Sequence, residues 1–252
     1  MRLARPLRRY EPNMITYILN ALWPSLCISC DEPIDEPGLC RTCRGTLVPA
    51  ADVSCSHCAN VFLNLPGPSP NYRCGRCLLV PPKYHQCRAA YAYGGALRDA
   101  IVKWKNHPRP EVGNVLSRLM LSQLDAKSWS QRPHDTVVVP VPTSFRRSVK
   151  RGFNPAGQLA RALARELDLE CHPSVLTLKM HLQSSRGLTR GQRRHRVAQR
   201  FTASRVIATK NILLVDDVRT TGKTVNEASR ALLRAGAARV DVAVLAAVPD
   251  QA

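Results

Sequence analysis

Four CxxC pairs crowd one stretch of this chain: Cys27/Cys30, Cys40/Cys43, Cys55/Cys58 and Cys74/Cys77, with 9, 11 and 15 residues between successive pairs. Two intervening residues form a knuckle that aims both sulfurs at one point, and two knuckles supply the thiolates of a closed tetrahedral Zn²⁺ site. Eight sulfurs therefore predict two structural zinc ions. Such a site carries about two net negative charges, and Arg41, Arg44, Arg73 and Arg76 stand in or beside the knuckles to offset them. Disulfides would need an oxidising compartment. The basic Arg2 to Arg9 and the apolar "MITYILNALWPSL" after it imitate a secretion signal, but no small-residue cleavage site follows. Sequential pairing of the knuckles closes the shortest loops and is preferred over a nested arrangement, which spacing leaves open. His57 is expected to be a bystander, and Cys87 and Cys171 inert free thiols. A closed site offers no open coordination position, so this module is scaffold or binding surface, and without metal it should not fold.

The rest of the 252 residues obey different rules. No run reaches the roughly 18 to 20 apolar residues of a spanning helix, so no membrane insertion is expected and a cytoplasmic location is. The division expected is a basic tail and short amphipathic helix over 1–22, a double zinc ribbon over 23–85 and an α/β domain over 86–252. Because the apolar pattern begins only at Met14, both Met1 and Met14 stand as candidate starts.

From Arg88 onward strand and helix patterns alternate. "RAAYAYG", "TVVVPVP", "SVLTLK", "NILLVDD" and "ARVDVAVLAAV" read as strands. Ala96–Lys105, Glu111–Ala126, Pro155–Leu167 and Lys223–Ala235 read as helices, the third through Leu159, Leu163, Ala164 and Leu167 at helical spacing. Strands separated by helices mean crossover units and a mostly parallel sheet, whose ligands gather beyond the carboxyl ends of the strands.

One such end reads "ILLVDDVRTTGKTV". Gly222-Lys223-Thr224 imitates a nucleotide-binding phosphate loop, but that loop needs glycine five residues before Gly222, where this chain has Asp217. A carboxylate there opposes phosphate wrapping. The turn from Thr220 to Thr224 nevertheless offers backbone N–H groups and hydroxyls at a helix start, suited to one phosphate monoester. Asp216 and Asp217 repel phosphate and accept hydrogen bonds, so they belong opposite hydroxyls. A ring with a phosphate at one end and two hydroxyls nearby is a ribose 5-phosphate.

Here the sequence resembles a family. "ILLVDDVRTTGKT" looks like the phosphoribosyl pyrophosphate (PRPP) motif of type I phosphoribosyltransferases, and the wider chain is similar to the ComF/GntX family. The match runs through the four CxxC pairs, "KWKN" at Lys103 to Asn106, "RRSVKRGFNPAGQLA" from Arg146, and "QSSRGLTRGQRRHRVAQRF" from Gln183. The resemblance implies a double zinc ribbon followed by a phosphoribosyltransferase-like domain in which Asp216 and Asp217, the catalytic candidates, bind the ribose hydroxyls. Thr220, Thr221, Gly222, Lys223 and Thr224 would hold the 5-phosphate. It also implies a role in natural competence, the uptake and use of DNA, with DNA-processing proteins as partners. Relatives usually read RGFNQ where this chain has Arg151 to Pro155, losing an amide side chain and a backbone donor.

Charge points the same way. Lys and Arg number 37 against 18 Asp and Glu, a formal charge of +19, and residues 143–205 hold 14 basic and three acidic residues. A cluster of that density suits polyanions. As an enzyme, the chain would transfer ribose 5-phosphate from PRPP to an unidentified acceptor, with Mg²⁺ and a cationic clamp on the pyrophosphate. Arg146, Arg147, Lys150 and Arg151, read as lying on the loop after "TVVVPVP", are clamp candidates, as are Lys103 and Lys105. No general base for an acceptor is visible. As a binding protein, the chain would lay single-stranded DNA along the basic region, where Phe145, Phe153 and Phe201 are the only nearby phenylalanines to stack bases.

Overall fold

The structure, a computed structural model, describes residues 24–63, 71–107, 109–124, 133, 135–179 and 200–250. Its centre is a five-stranded parallel sheet in the order β3-β9-β8-β4-β5. β3 is Gln86–Ala92, β4 Thr136–Pro140, β5 Glu170–Cys171, β8 Asn211–Arg219 and β9 Arg239–Ala247. β8 lies between β4 and β9. Its apolar run explains that position, because a strand covered on both faces has no polar side to show.

Successive side chains of β8 divide between two cores, as pleating requires. Leu213 and Val215 join a cluster with α3 (Gly95–Asn106), α4 (Pro110–Gln123) and α6 (Pro155–Glu166). Ile212 and Leu214 join the opposite cluster with α7 (Lys223–Arg234). α6, on the connection from β4 to β5, thus lies on one face and α7, on the connection from β8 to β9, on the other, so the chain leaves β4 and β8 in opposite directions. A crevice opens between their carboxyl ends, the switch point at which parallel sheets hold ligands.

Two small antiparallel sheets flank this layer. β1 (Ser25–Leu26) pairs with β2 (Pro33–Ile34) in the first cysteine-rich unit, and β6 (Leu176–Leu178) pairs with β7 (Phe201–Ala203). The expected strand "SVLTLK" is present, but it stands outside the parallel sheet because its partner is β7. Short helices α1 (Arg41–Gly45) and α2 (Gly75–Leu79) each begin within a CxxC knuckle. The ribbons join different faces of the sheet: Cys27 and Cys40 belong to the α3/α4/α6 core, and Cys55, Cys58, Cys74 and Cys77 to the α7 core.

The expected basic loop after β4 contains a helix, α5 (Phe145–Arg151). The expected N-terminal helix and the segment 183–199 of the basic motif lie outside the described residues. No described helix is long and apolar enough to cross a membrane.

Candidate functional site

The eight knuckle cysteines converge in sequence order. Cys27, Cys30, Cys40 and Cys43 form one cluster, and Cys55, Cys58, Cys74 and Cys77 the other, with all sulfurs of a cluster within 4.8 Å of one another. A tetrahedral ion with bonds of about 2.3 Å sets its sulfurs about 3.8 Å apart. The Sγ atoms of Cys30 and Cys40 are 3.8 Å apart, and those of Cys58 and Cys74 are 3.7 Å apart. Backbone amides already donate to sulfur, Cys40 N–H to Cys27 at 3.3 Å and Cys74 N–H to Cys55 at 3.3 Å, which orients the ligands as a second coordination shell does. The thiol of Cys58 beside it holds Cys55 well below the usual thiol range, which favours thiolate ligation. Both clusters fit Zn²⁺ and would hold it as a structural ion. His57 stays outside the ligand set, and Cys87, wholly buried, is pushed up to about 12 by desolvation, which makes it inert.

The crevice at the switch point has a volume of 330 Å³. β8 brings Asp216 and Asp217 to its floor, and the loop Val141 to Ser144 after β4 forms the facing wall. Asp216 is 9% exposed, and its Oδ1 accepts from the Asp217 amide at 2.9 Å. Burial, reinforced by the neighbouring Asp217 charge, pushes its carboxyl well above the usual carboxylate range. Asp217 is half-buried and ion-paired with Lys105 of α3.

The turn Thr220 to Gly222 then opens α7. Thr220 and Thr224 line the crevice, and Thr221 Oγ1 accepts from the Lys223 amide at 3.5 Å. Gly222 has a φ of +72°, the left-handed region that favours glycine, and a Cβ there would lie 3.2 Å from Arg219 Nε, so the guanidinium would have to shift. Hydroxyl-bearing residues at the start of a 12-residue helix and two acids on the adjoining strand thus share one small cavity.

The predicted cations separate. Arg151 lines the crevice, while Arg146 is exposed on α5 and does not. Arg147 and Lys150 belong to the same helix, with side chains outside the described residues. Lys105 reaches Asp217, whereas Lys103 is paired with Asp31 in the first ribbon. Residues two apart on a helix project to opposite sides, so one site cannot use both.

Three contributors had no assigned role in the sequence. Arg200, just before β7, lines the crevice. Asn154 braces the β4 loop: its Nδ2 donates to Val141 O at 3.1 Å, and its Oδ1 accepts from Thr143 Oγ1 at 2.9 Å. Arg219, inside the PRPP-like motif, is buried beneath the turn. Asn154 could have been found, since "RGFN" precedes a helix whose first residue is proline. Pro155 occupies that first position, where a backbone N–H would have no intrahelical partner, so the departure from RGFNQ leaves the helix intact.

The crevice and the twin cysteine clusters define a phosphoribosyltransferase-domain protein with a double zinc ribbon. Residues 122–252 match the phosphoribosyl transferase domain family, and residues 18–78 match the double zinc ribbon domain family. The DNA utilization protein YhgH of Escherichia coli (strain K12) is 31% identical over 216 residues, covering 82% of this chain and 95% of that protein. Competence protein F of Haemophilus influenzae is 30% identical over 215 residues, 81% of this chain and 94% of that one. The chain belongs to the ComF family. A solved structure of the allosteric regulatory enzyme of purine biosynthesis covers 57% of this chain and 29% of its own, at 19% identity and a TM-score of 0.40.

Proposed function

We propose that this protein acts in DNA utilisation, holds the ribose 5-phosphate part of PRPP in the β4/β8 crevice, and binds single-stranded DNA on its basic face. Residues 23–85 supply the ribbon scaffold of this reading and residues 86–252 the binding domain. One observation carries the sugar reading: an acid pair, Asp216 buried and Asp217 half-buried, and an open, hydroxyl-rich helix start share a 330 Å³ crevice walled by Arg151 and Arg200. Asp216 and Asp217 accept from the ribose hydroxyls, the turn from Thr220 to Thr224 takes the 5-phosphate, and Arg151 and Arg200 face the pyrophosphate with Mg²⁺. In this arrangement Lys105 is the cation that Asp217 exchanges for ligand.

The DNA reading is supported by the names of the relatives and by a surface groove of 820 Å³. Arg109, Arg151, Arg161 and Arg165 line it with Phe153, and among the described residues no carboxylate does. Arg151 lines both the groove and the crevice, so a strand lying in the groove ends beside the sugar site.

Calorimetric titration with PRPP and Mg²⁺ tests the first reading. Binding is expected in the parent and is lost in Asp216→Asn and Asp217→Asn, both of which stay folded; equal binding in these variants sinks the assignment. For the second reading, oligonucleotide affinity measured against salt should fall with a log–log slope of about −0.7 per phosphate contact, and more shallowly in Arg161→Ala/Arg165→Ala. A slope near zero rules the groove out.

A further inference from the structure

Of the two residues between the acid pair and the threonine turn, Val218 lines the crevice and Arg219 does not. Arg219 is 4% exposed and turns beneath the turn, towards the second ribbon. Its Nη1 donates to Thr220 O at 3.3 Å and to Asn60 Oδ1 at 3.2 Å, two residues beyond the ligand Cys58. From the same ribbon Arg76, between Cys74 and Cys77, donates its Nη1 to Thr221 O at 3.4 Å. The first turn of α7 is tied down as well, for Asn226 Oδ1 accepts from the Lys83 amide at 2.7 Å.

Peptide planarity gives these contacts a consequence. In a trans peptide the C=O of one residue and the N–H of the next point in opposite directions, and none of the described peptide bonds is cis. Holding the Thr220 carbonyl down therefore aims the Thr221 N–H up, and holding the Thr221 carbonyl down aims the Gly222 N–H up. Neither amide donates a hydrogen bond among the described residues. Two adjacent free donors at a helix start are the groups that an anion would need.

We propose that Arg219 is a positioning residue and that the Cys55/Cys58/Cys74/Cys77 ribbon is the frame that fixes the phosphate-binding turn. This rests on the ribose 5-phosphate reading above. Metal at the second cluster and a sugar phosphate at the turn are then linked, each favouring the other, because coupling between two sites is reciprocal. The first cluster packs against the other face of the sheet, and among the described residues no hydrogen bond runs from it to the turn.

The test uses zinc-loaded full-length protein, with Arg219→Met and the milder, exposed Arg76→Ala. Three quantities are read: zinc per chain, affinity for ribose 5-phosphate, and amide exchange of a peptide spanning residues 219–225. With two zinc ions retained, Arg219→Met is expected to weaken ribose 5-phosphate roughly tenfold or more and to speed exchange in that peptide, while the β3 and β9 peptides do not change. Arg76→Ala gives smaller shifts in the same direction. Arg219→Lys does not rescue, since an ammonium lacks the fork that spans Asn60 and Thr220. In the parent, ribose 5-phosphate slows chelator capture of one ion and not the other. If exchange at the turn is unchanged in both variants, or if both ions are protected equally, the frame is overturned. If the parent fails to bind ribose 5-phosphate while exchange still quickens in the variants, the sugar reading falls and the frame stands. Should Arg219→Met lose its metal, Arg76→Ala decides by the same readouts.

Discussion

Asp216 illustrates what the site demands of a single side chain. A carboxyl held well above its usual range by burial is protonated more readily in the folded chain than in the unfolded one. Between the unfolded value, near 4, and the raised folded value the native state binds the extra proton. The stability this contributes is present at low pH and is lost as pH rises through the folded value. Above it the fold carries a buried charge. Asp216→Asn removes the ionisable group and keeps an oxygen for the Asp217 amide, so melting at neutral pH should rise by about 2–4 °C while sugar-phosphate binding disappears. A melting point that is lower in the variant, or a parent curve with no loss of stability on raising pH from 5 to 8, contradicts this account. The acid pair itself was legible in the sequence because its chemistry is local. The partners of Lys103 and Lys105 were not, because helix phase decides which of two neighbours reaches a site, and the motif says nothing about phase.

Among the elements, the sequence revealed those that carry a pattern. β4 and β8 announce themselves as apolar runs and α6 by its stripe, and all three appear at the expected positions. α5 was read as loop because "SFRRSVKR" has no apolar stripe at helical spacing and no acidic residue at its start. β5 is two residues long and too short to show an alternation. The sheet to which β6 belongs could not be read from its own residues, since that depends on β7 more than 20 residues later. The loop after β4 forms one wall of the crevice, and it hangs on Asn154. Asn154→Ala should lower stability by roughly 1–2 kcal/mol and weaken PRPP, as measured by thermal melting and titration. Pro155→Gln should alter stability by less than about 0.5 kcal/mol, because the first helical position needs no N–H. If Asn154→Ala binds PRPP as the parent does, the brace has no role in the site.

Across the whole molecule the ribbons are not appendages. Cys55, Cys58, Cys74 and Cys77 share a buried cluster with Val244 of β9 and Ala228 of α7, and the first cluster shares its core with Leu213 of β8. The sequence suggested a module that would unfold alone when metal is removed. Shared cores predict otherwise: chelation should release two zinc ions per chain and lower the melting of β3, β8 and β9 together with the ribbons, in one transition. Calorimetry that shows an α/β transition unmoved by chelator contradicts this.

One contact joins the second ribbon to the end of the described chain. Val61 bridges Pro249, the Asp250 amide donates to Val61 O at 2.9 Å, and Asn60 donates to the Asp250 carboxylate at 2.8 Å. A ribosome delivers residue 60 long before residue 250, with a delay on the order of ten seconds. During that interval the nascent second knuckle pair has neither β9 nor the Pro249 segment to lean on. Metal that reaches these thiols in that interval is sealed in when the closing strand arrives.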